Sequence, residues 1–137
     1  MMKGRKEVFS YTSRQFIRYG LVGITNTTIT VGSIFFLMNV SNASYIVANT
    51  IGYIIGFFNS FFLNKKWTFR SHGRILDEFF RFFFIFLVCY GLQLALLIFL
   101  KETVKVSVNY AQVFAMVFYT IISFFGNKMI AFKESNQ

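Results

Sequence analysis

Two arginines and two lysines carry the most pointed chemistry in this chain, and they recur at one spacing: Arg18 and Arg81 stand as far apart as Lys65 and Lys128. Each arginine directly precedes or nearly precedes a long uncharged run, and each lysine directly follows one. If those runs cross a bilayer, all four cations return to the same depth on the same side. Arginine offers a planar fork of donors and lysine a compact point charge, so four of them around a small bundle suit an anionic lipid headgroup such as a phosphate. Arg81 is flanked by Phe79, Phe80, Phe82, Phe83, Phe84 and Phe86. It can snorkel to the interface, be held by cation–π contacts, or turn inward to bind an anion.

Amides are the second group. Asn26 lies deep in the first uncharged run, with Thr27, Thr30 and Ser33 giving one side of that segment hydrogen-bonding character. An amide at such a depth meets no water, so it must face a partner or a cavity, and bonding between helices is its simplest role. Other chemistries are excluded by what is scarce. The single cysteine, Cys89, forbids an internal disulfide, and neither it nor the lone His72 has a partner at metal spacing. A packed Cys89 and a solvated His72 are expected. All five acids lie outside the uncharged runs, which argues against a proton-coupled exporter, and no carboxylates are placed for glycosyl transfer or hydrolysis. Asp77 and Glu78 are adjacent at a helix start, where acids complement the helix dipole. No enzymatic activity, cofactor or metal is expected.

The elements that must position these residues follow from composition. The chain has 137 residues, 55% hydrophobic and 21% aromatic, far from the usual soluble mix. No Asp, Glu, Lys or Arg occurs in 19–64, 82–100 or 106–127. The last two runs match one crossing each and the first accommodates two with a short turn. An all-α membrane protein with four transmembrane helices results. The expected organisation is a basic tail over 1–13, a four-helix domain over 14–133 with hairpins at about 14–69 and 77–132, and a tail at 134–137. The net charge of +9 is concentrated before the first helix and between the second and third. By the positive-inside rule both termini are cytoplasmic, and the charge marks topology and anionic lipid rather than nucleic acid. No cleaved leader is expected, because the first apolar run begins only near Phe16. With no proline in the chain, long straight crossings are the default and any unwound site would rely on glycine.

Ala48, Gly52, Gly56 and Ser60 recur every four residues and so line one helical face suited to close packing. Gly20 and Gly23 suggest a second close approach. Shifting the sequence by 63 positions also superposes Phe16 on Phe79, Ala48 on Ala111, 60–62 on 123–125, Asn64-Lys65 on Asn127-Lys128, and Phe69 on Phe132. Two helical hairpins in tandem, related as a parallel repeat, account for that register.

Arg18-Tyr19-Gly20-Leu21-Val22-Gly23, followed by Asn59-Ser60-Phe61-Phe62-Leu63-Asn64-Lys65-Lys66-Trp67-Thr68-Phe69 and by Phe124-Phe125-Gly126-Asn127-Lys128-Met129-Ile130-Ala131-Phe132, resembles the GtrA-like family over about 16–132. Met129-Ile130 replaces the basic-aromatic pair of the first copy. The resemblance implies a flippase for an undecaprenyl- or polyprenyl-phosphate-linked monosaccharide, serving cell-surface polysaccharide synthesis or teichoic acid glycosylation. Arg18, Lys65, Arg81 and Lys128 would hold the lipid phosphate, and Asn26, Asn59, Asn64, Tyr90 and Asn127 would line a polar translocation path. The expected partners are the sugar lipid, membrane lipids and a membrane glycosyltransferase of the same pathway, with homo-oligomerisation open. A non-transporting accessory subunit that stabilises or positions the glycosyltransferase is the alternative.

Overall fold

The computed structural model describes residues 2–133, with side chains described for 8–44, 46–107 and 109–133. Four helices follow one another: α1 Met2–Asn39, α2 Tyr45–Leu63, α3 Ile75–Ile98 and α4 Val108–Gly126. Among the described residues there is no strand, and all four helices are long and apolar enough to cross a membrane. Their outward faces are apolar, with Phe35, Tyr53, Phe84 and Phe114 exposed, while Gln15, Asn64, Glu78 and Asn127 are buried. Apolar side chains can face outward where the surrounding solvent is hydrocarbon, and it is the polar groups that must then find partners inside.

Two boundaries differ from the expectation. α1 begins at Met2 rather than near Arg14, so the basic segment before Arg14 is helical along its backbone from Met2 on. Lys, Arg and Glu are good helix formers, no proline intervenes, and extending an existing helix avoids the cost of a new nucleus. At 38 residues α1 is roughly 57 Å long, well beyond the roughly 30 Å hydrocarbon core, and its first turns therefore stand outside it. α3 starts at Ile75, which places Asp77 and Glu78 inside its first turn.

The helices are also not uniformly regular. α2, α3 and α4 each run on into a single π-helical turn, at Asn64–Thr68, Phe99–Thr103 and Asn127–Ala131. Two of these contain and follow no glycine, and they remain hydrogen-bonded helix rather than unwound chain. The wide turn is closed by the next residue, Phe69 N–H donating to the Asn64 carbonyl at 2.9 Å and Val104 N–H to that of Phe99 at 3.2 Å. A left-handed residue then ends the element: Arg70 at φ 51° and Lys105 at φ 64°.

The chain divides into two compact units, Met1–Arg70 and Ser71–Gln137, each a helical hairpin. In the first, α1 buries or half-buries Gln15, Arg18, Tyr19, Val22, Asn26, Thr30 and Ile34, a stripe at helical spacing. Thr25, Thr27 and Thr28 lie off that stripe and satisfy their hydroxyls on the Leu21, Gly23 and Ile24 carbonyls at 2.9, 3.0 and 3.1 Å, the usual remedy for a hydroxyl facing lipid. Ala48, Gly52 and Gly56 of α2 are buried. A Cβ built at Gly52 lies 2.5 Å from Ile34 Cγ1 and 3.2 Å from the Thr30 carbonyl oxygen, and one built at Gly56 overlaps Thr30 Oγ1. By contrast, a Cβ at Gly20 or Gly23 meets nothing within 4 Å, so these two glycines bring no backbone close.

In the second hairpin α3 packs on α4 and on the π turn that follows it, with Phe82, Ile85 and Cys89 of α3, Ala111, Ala115 and Phe124 of α4, and Phe132 beyond the turn all buried. Gly126 admits Ile85, whose Cγ2 would lie 2.9 Å from a Cβ there. At its start the Glu78 carboxylate, 3% exposed, accepts from the Ser71 hydroxyl, which also receives Gly73 N–H at 3.2 Å. Internal features recur between the two units at the 63-residue shift. Tyr19 meets Phe69 at 6.0 Å and 57°, and Phe82 meets Phe132 at 5.8 Å and 49°. Gln15 and Glu78 are both buried, and Asn42 and Lys105 both take left-handed backbone.

Candidate functional site

Polar groups in the first hairpin concentrate at its open end, where α1 enters and the π turn after α2 leaves. Arg18 Nη1 donates to the Trp67 carbonyl at 3.2 Å, and its guanidinium carbon sits 5.5 Å from the centre of the Trp67 ring. One side chain thus ties α1 to the π turn through a hydrogen bond and a cation–π contact. That turn also carries Lys65, only 7% exposed, and Asn64 and Thr68, both buried. Asn64 Nδ2 donates to Ser60 Oγ at 3.3 Å. The Asn64 and Thr68 side-chain oxygens, and Gln15 Oε1 on α1, are buried without a hydrogen-bond partner. Each such group costs about 1–3 kcal/mol when nothing bonds it, so this charged helix end has several donors and acceptors for water or a ligand to satisfy.

Deeper in the same hairpin the seam between α1 and α2 is polar as well. Thr30 and Asn26 face the gap left by Gly56, Asn26 Oδ1 being 3.2 Å from a Cβ built there. Asn59 follows almost one turn later. Asn26 Oδ1 and Asn59 Nδ2 are both buried and have no hydrogen-bond partner, one an acceptor and the other a donor. Together they offer both polarities a hydroxyl needs.

The second hairpin presents its candidates differently. Arg81 is exposed on α3, and Tyr90 is 52% exposed with its ring stacked on Phe86 at 6.1 Å and 17°. Asn127 is buried, and Lys128 is half-buried with its ammonium 6.0 Å from the Phe124 ring centre. The positions matching Asn26, Asn59, Trp67 and Thr68 hold Cys89, Ile122, Ile130 and Ala131, so the two amides of the first seam have no counterpart there. Cys89 is buried and His72 exposed, and no cluster of metal-ligating side chains occurs among the described residues. Three participants in the first hairpin were missed from sequence: Gln15, Trp67 and Thr68. Gln15 carried a signal, since it stands 63 residues before Glu78.

Four membrane-crossing helices in two hairpins, with polar side chains turned inward, define a multi-pass protein of the cell membrane. Residues 18–132 match the family described as GtrA/DPMS, transmembrane domain, and the chain belongs to that family. It is similar to the uncharacterized membrane protein YngA of Bacillus subtilis, 30% identical over 122 residues that span 86% of this chain and 79% of that one. It is also similar to the cell wall teichoic acid glycosylation protein GtcA of Listeria monocytogenes, 26% identical over 124 residues covering 85% and 83% of the two chains. A third relative, the uncharacterized membrane protein YwcD of Bacillus subtilis, is 20% identical over 123 residues covering 87% and 97%.

Proposed function

We propose that this protein acts in glycosylation of the cell wall or another surface polymer by moving a polyprenyl-phosphate-linked monosaccharide across the membrane, without itself catalysing a reaction. The observation that carries this is the pair of orphaned amide groups, Asn26 Oδ1 and Asn59 Nδ2, inside a hairpin whose open end holds a buried lysine. A sugar crossing hydrocarbon loses its water, and amides that offer a donor and an acceptor replace it. Each hairpin offers its own pair of cations as candidates for the lipid phosphate, Arg18 and Lys65 in the first and Arg81 and Lys128 in the second, while Asn64 in the first and Tyr90 and Asn127 in the second extend the polar lining. The polyprenyl chain stays in lipid.

Family membership and the resemblance to a teichoic acid glycosylation protein support this assignment. The 63-residue recurrence is taken as a tandem duplication, with both termini cytoplasmic and a membrane glycosyltransferase as the pathway partner. The test is reconstitution into liposomes loaded with a labelled polyprenyl-phosphate sugar, followed by measurement of its accessibility in the opposite leaflet. Transport by the purified chain is expected. Transport that appears only when a glycosyltransferase is co-reconstituted would make the chain an accessory subunit instead.

A further inference from the structure

We propose that Trp67 is a positioning residue that holds Arg18 ready for a phosphate group, so that phosphate is read mainly by the first hairpin, through Arg18 and Lys65. This rests on the transport assignment above and adds to it which half of the molecule binds the anion. An arginine on a helix surface samples many rotamers, and binding must remove that freedom. Arg18 has given up much of that freedom already, because the Trp67 carbonyl takes one N–H at 3.2 Å while the indole lies 5.5 Å from the guanidinium carbon. A guanidinium has five N–H donors, so most of the fork remains for a ligand. Preorganisation of this kind raises affinity without a new contact.

Two features of the same turn point the same way. Lys65, two residues before Trp67, keeps only 7% of its surface exposed, and a charge removed from water interacts more strongly with an opposite charge. The matching position to Trp67 in the second hairpin is Ile130, which offers no aromatic platform, and Arg81 there is exposed. The two arginines thus share a register and differ in environment, and only Arg18 is prepared in advance.

Trp67 is the single tryptophan of the chain, so its fluorescence reports directly on the contact. The full-length protein in phosphatidylcholine nanodiscs is titrated with a polyprenyl monophosphate, with the corresponding polyprenol, and with inorganic phosphate, and binding of radiolabelled probe is measured in parallel. A saturable change in Trp67 emission is expected with polyprenyl phosphate and none with the alcohol. The same change with inorganic phosphate at similar concentration would identify the free anion as sufficient, whereas its absence assigns the site to the lipid. Arg18→Gln should weaken binding about tenfold or more, the worth of a charge-assisted bond, with Arg81→Gln much closer to wild type and Arg70→Gln as the exposed control. Trp67→Phe should retain binding of the labelled probe and Trp67→Leu should weaken it a fewfold, the worth of a cation–π contact, which is less than Arg18→Gln because the backbone carbonyl at this position still holds the guanidinium. A larger loss at Arg81 than at Arg18, unchanged emission while the labelled probe binds, or equal binding by the Phe and Leu variants each overturns the proposal and leaves the transport assignment standing. No phosphate binding and no transport by the wild-type protein would instead remove that assignment.

Discussion

Replacing Gly56 by alanine should destabilise the first hairpin, while the same change at Gly32, on α1 of that hairpin, should stabilise it. A Cβ at Gly56 overlaps Thr30 Oγ1 and comes within 3.2 Å of Asn26 Oδ1, whereas one at Gly32 meets nothing within 4 Å. Alanine gains about 1 kcal/mol over glycine in a helix interior, and at Gly32 that gain stands alone. At Gly56 it is opposed by overpacking, which costs about 1–3 kcal/mol. Neither neighbour can retreat freely, because Thr30 is buried and turns on a single torsion near the helix backbone. The two variants should therefore differ by about 2 kcal/mol, or roughly 5–10 °C in melting temperature for a chain of this size. Thr30→Ala removes the obstructing hydroxyl, so the Gly56→Ala, Thr30→Ala double variant should recover part of the loss, a coupling visible in a double-mutant cycle. The assay is thermal unfolding of detergent-solubilised protein followed by size-exclusion of the surviving fraction. Equal melting temperatures for Gly32→Ala and Gly56→Ala, with no recovery in the double variant, would refute the packing assigned to this face.

Lys105→Gly should stabilise the protein by about 1 kcal/mol, since Lys105 holds φ at 64° and a side chain there pays a left-handed penalty that glycine avoids. Lys105→Val should lower stability in the same thermal assay, and a reversed order would exclude backbone strain at this turn. Topology is open to single-cysteine labelling in a Cys89→Ser background: with both termini cytoplasmic, Ser41→Cys reacts with an impermeant reagent from outside intact cells and His72→Cys only after the membrane is opened. Equal reaction of both from outside would sink the assigned orientation.

The existence and approximate extent of the four helices were legible in the sequence, because a chain in hydrocarbon must satisfy every backbone group within its own helices and so needs uncharged runs of bilayer length. The runs at 82–100 and 106–127 needed no further context. Boundaries outside the hydrocarbon were not legible, since that constraint ends at the interface. There helix propensity and continuation from an existing helix decide, and α1 accordingly begins at Met2. The shift of 63 residues was equally visible, being a matter of register alone.

The environments of matched residues were decided only by tertiary structure. Arg18 and Arg81 read identically as cations beside aromatic residues, yet Arg18 reaches a carbonyl 49 residues away and stacks on Trp67, while Arg81 stands exposed. Thr27 and Thr30 are the same residue type one turn apart; Thr27 bonds its own helix and Thr30 faces Gly56. The physical reason is that hydrophobic periodicity loses its usual meaning when both the lipid and the packed interior are apolar, so the sequence pattern does not say which way a side chain turns. What turns Gln15, Asn26 and Asn64 inward is the cost of a polar group in hydrocarbon, and the direction that counts as inward exists only once α2 and its terminal π turn have packed against α1.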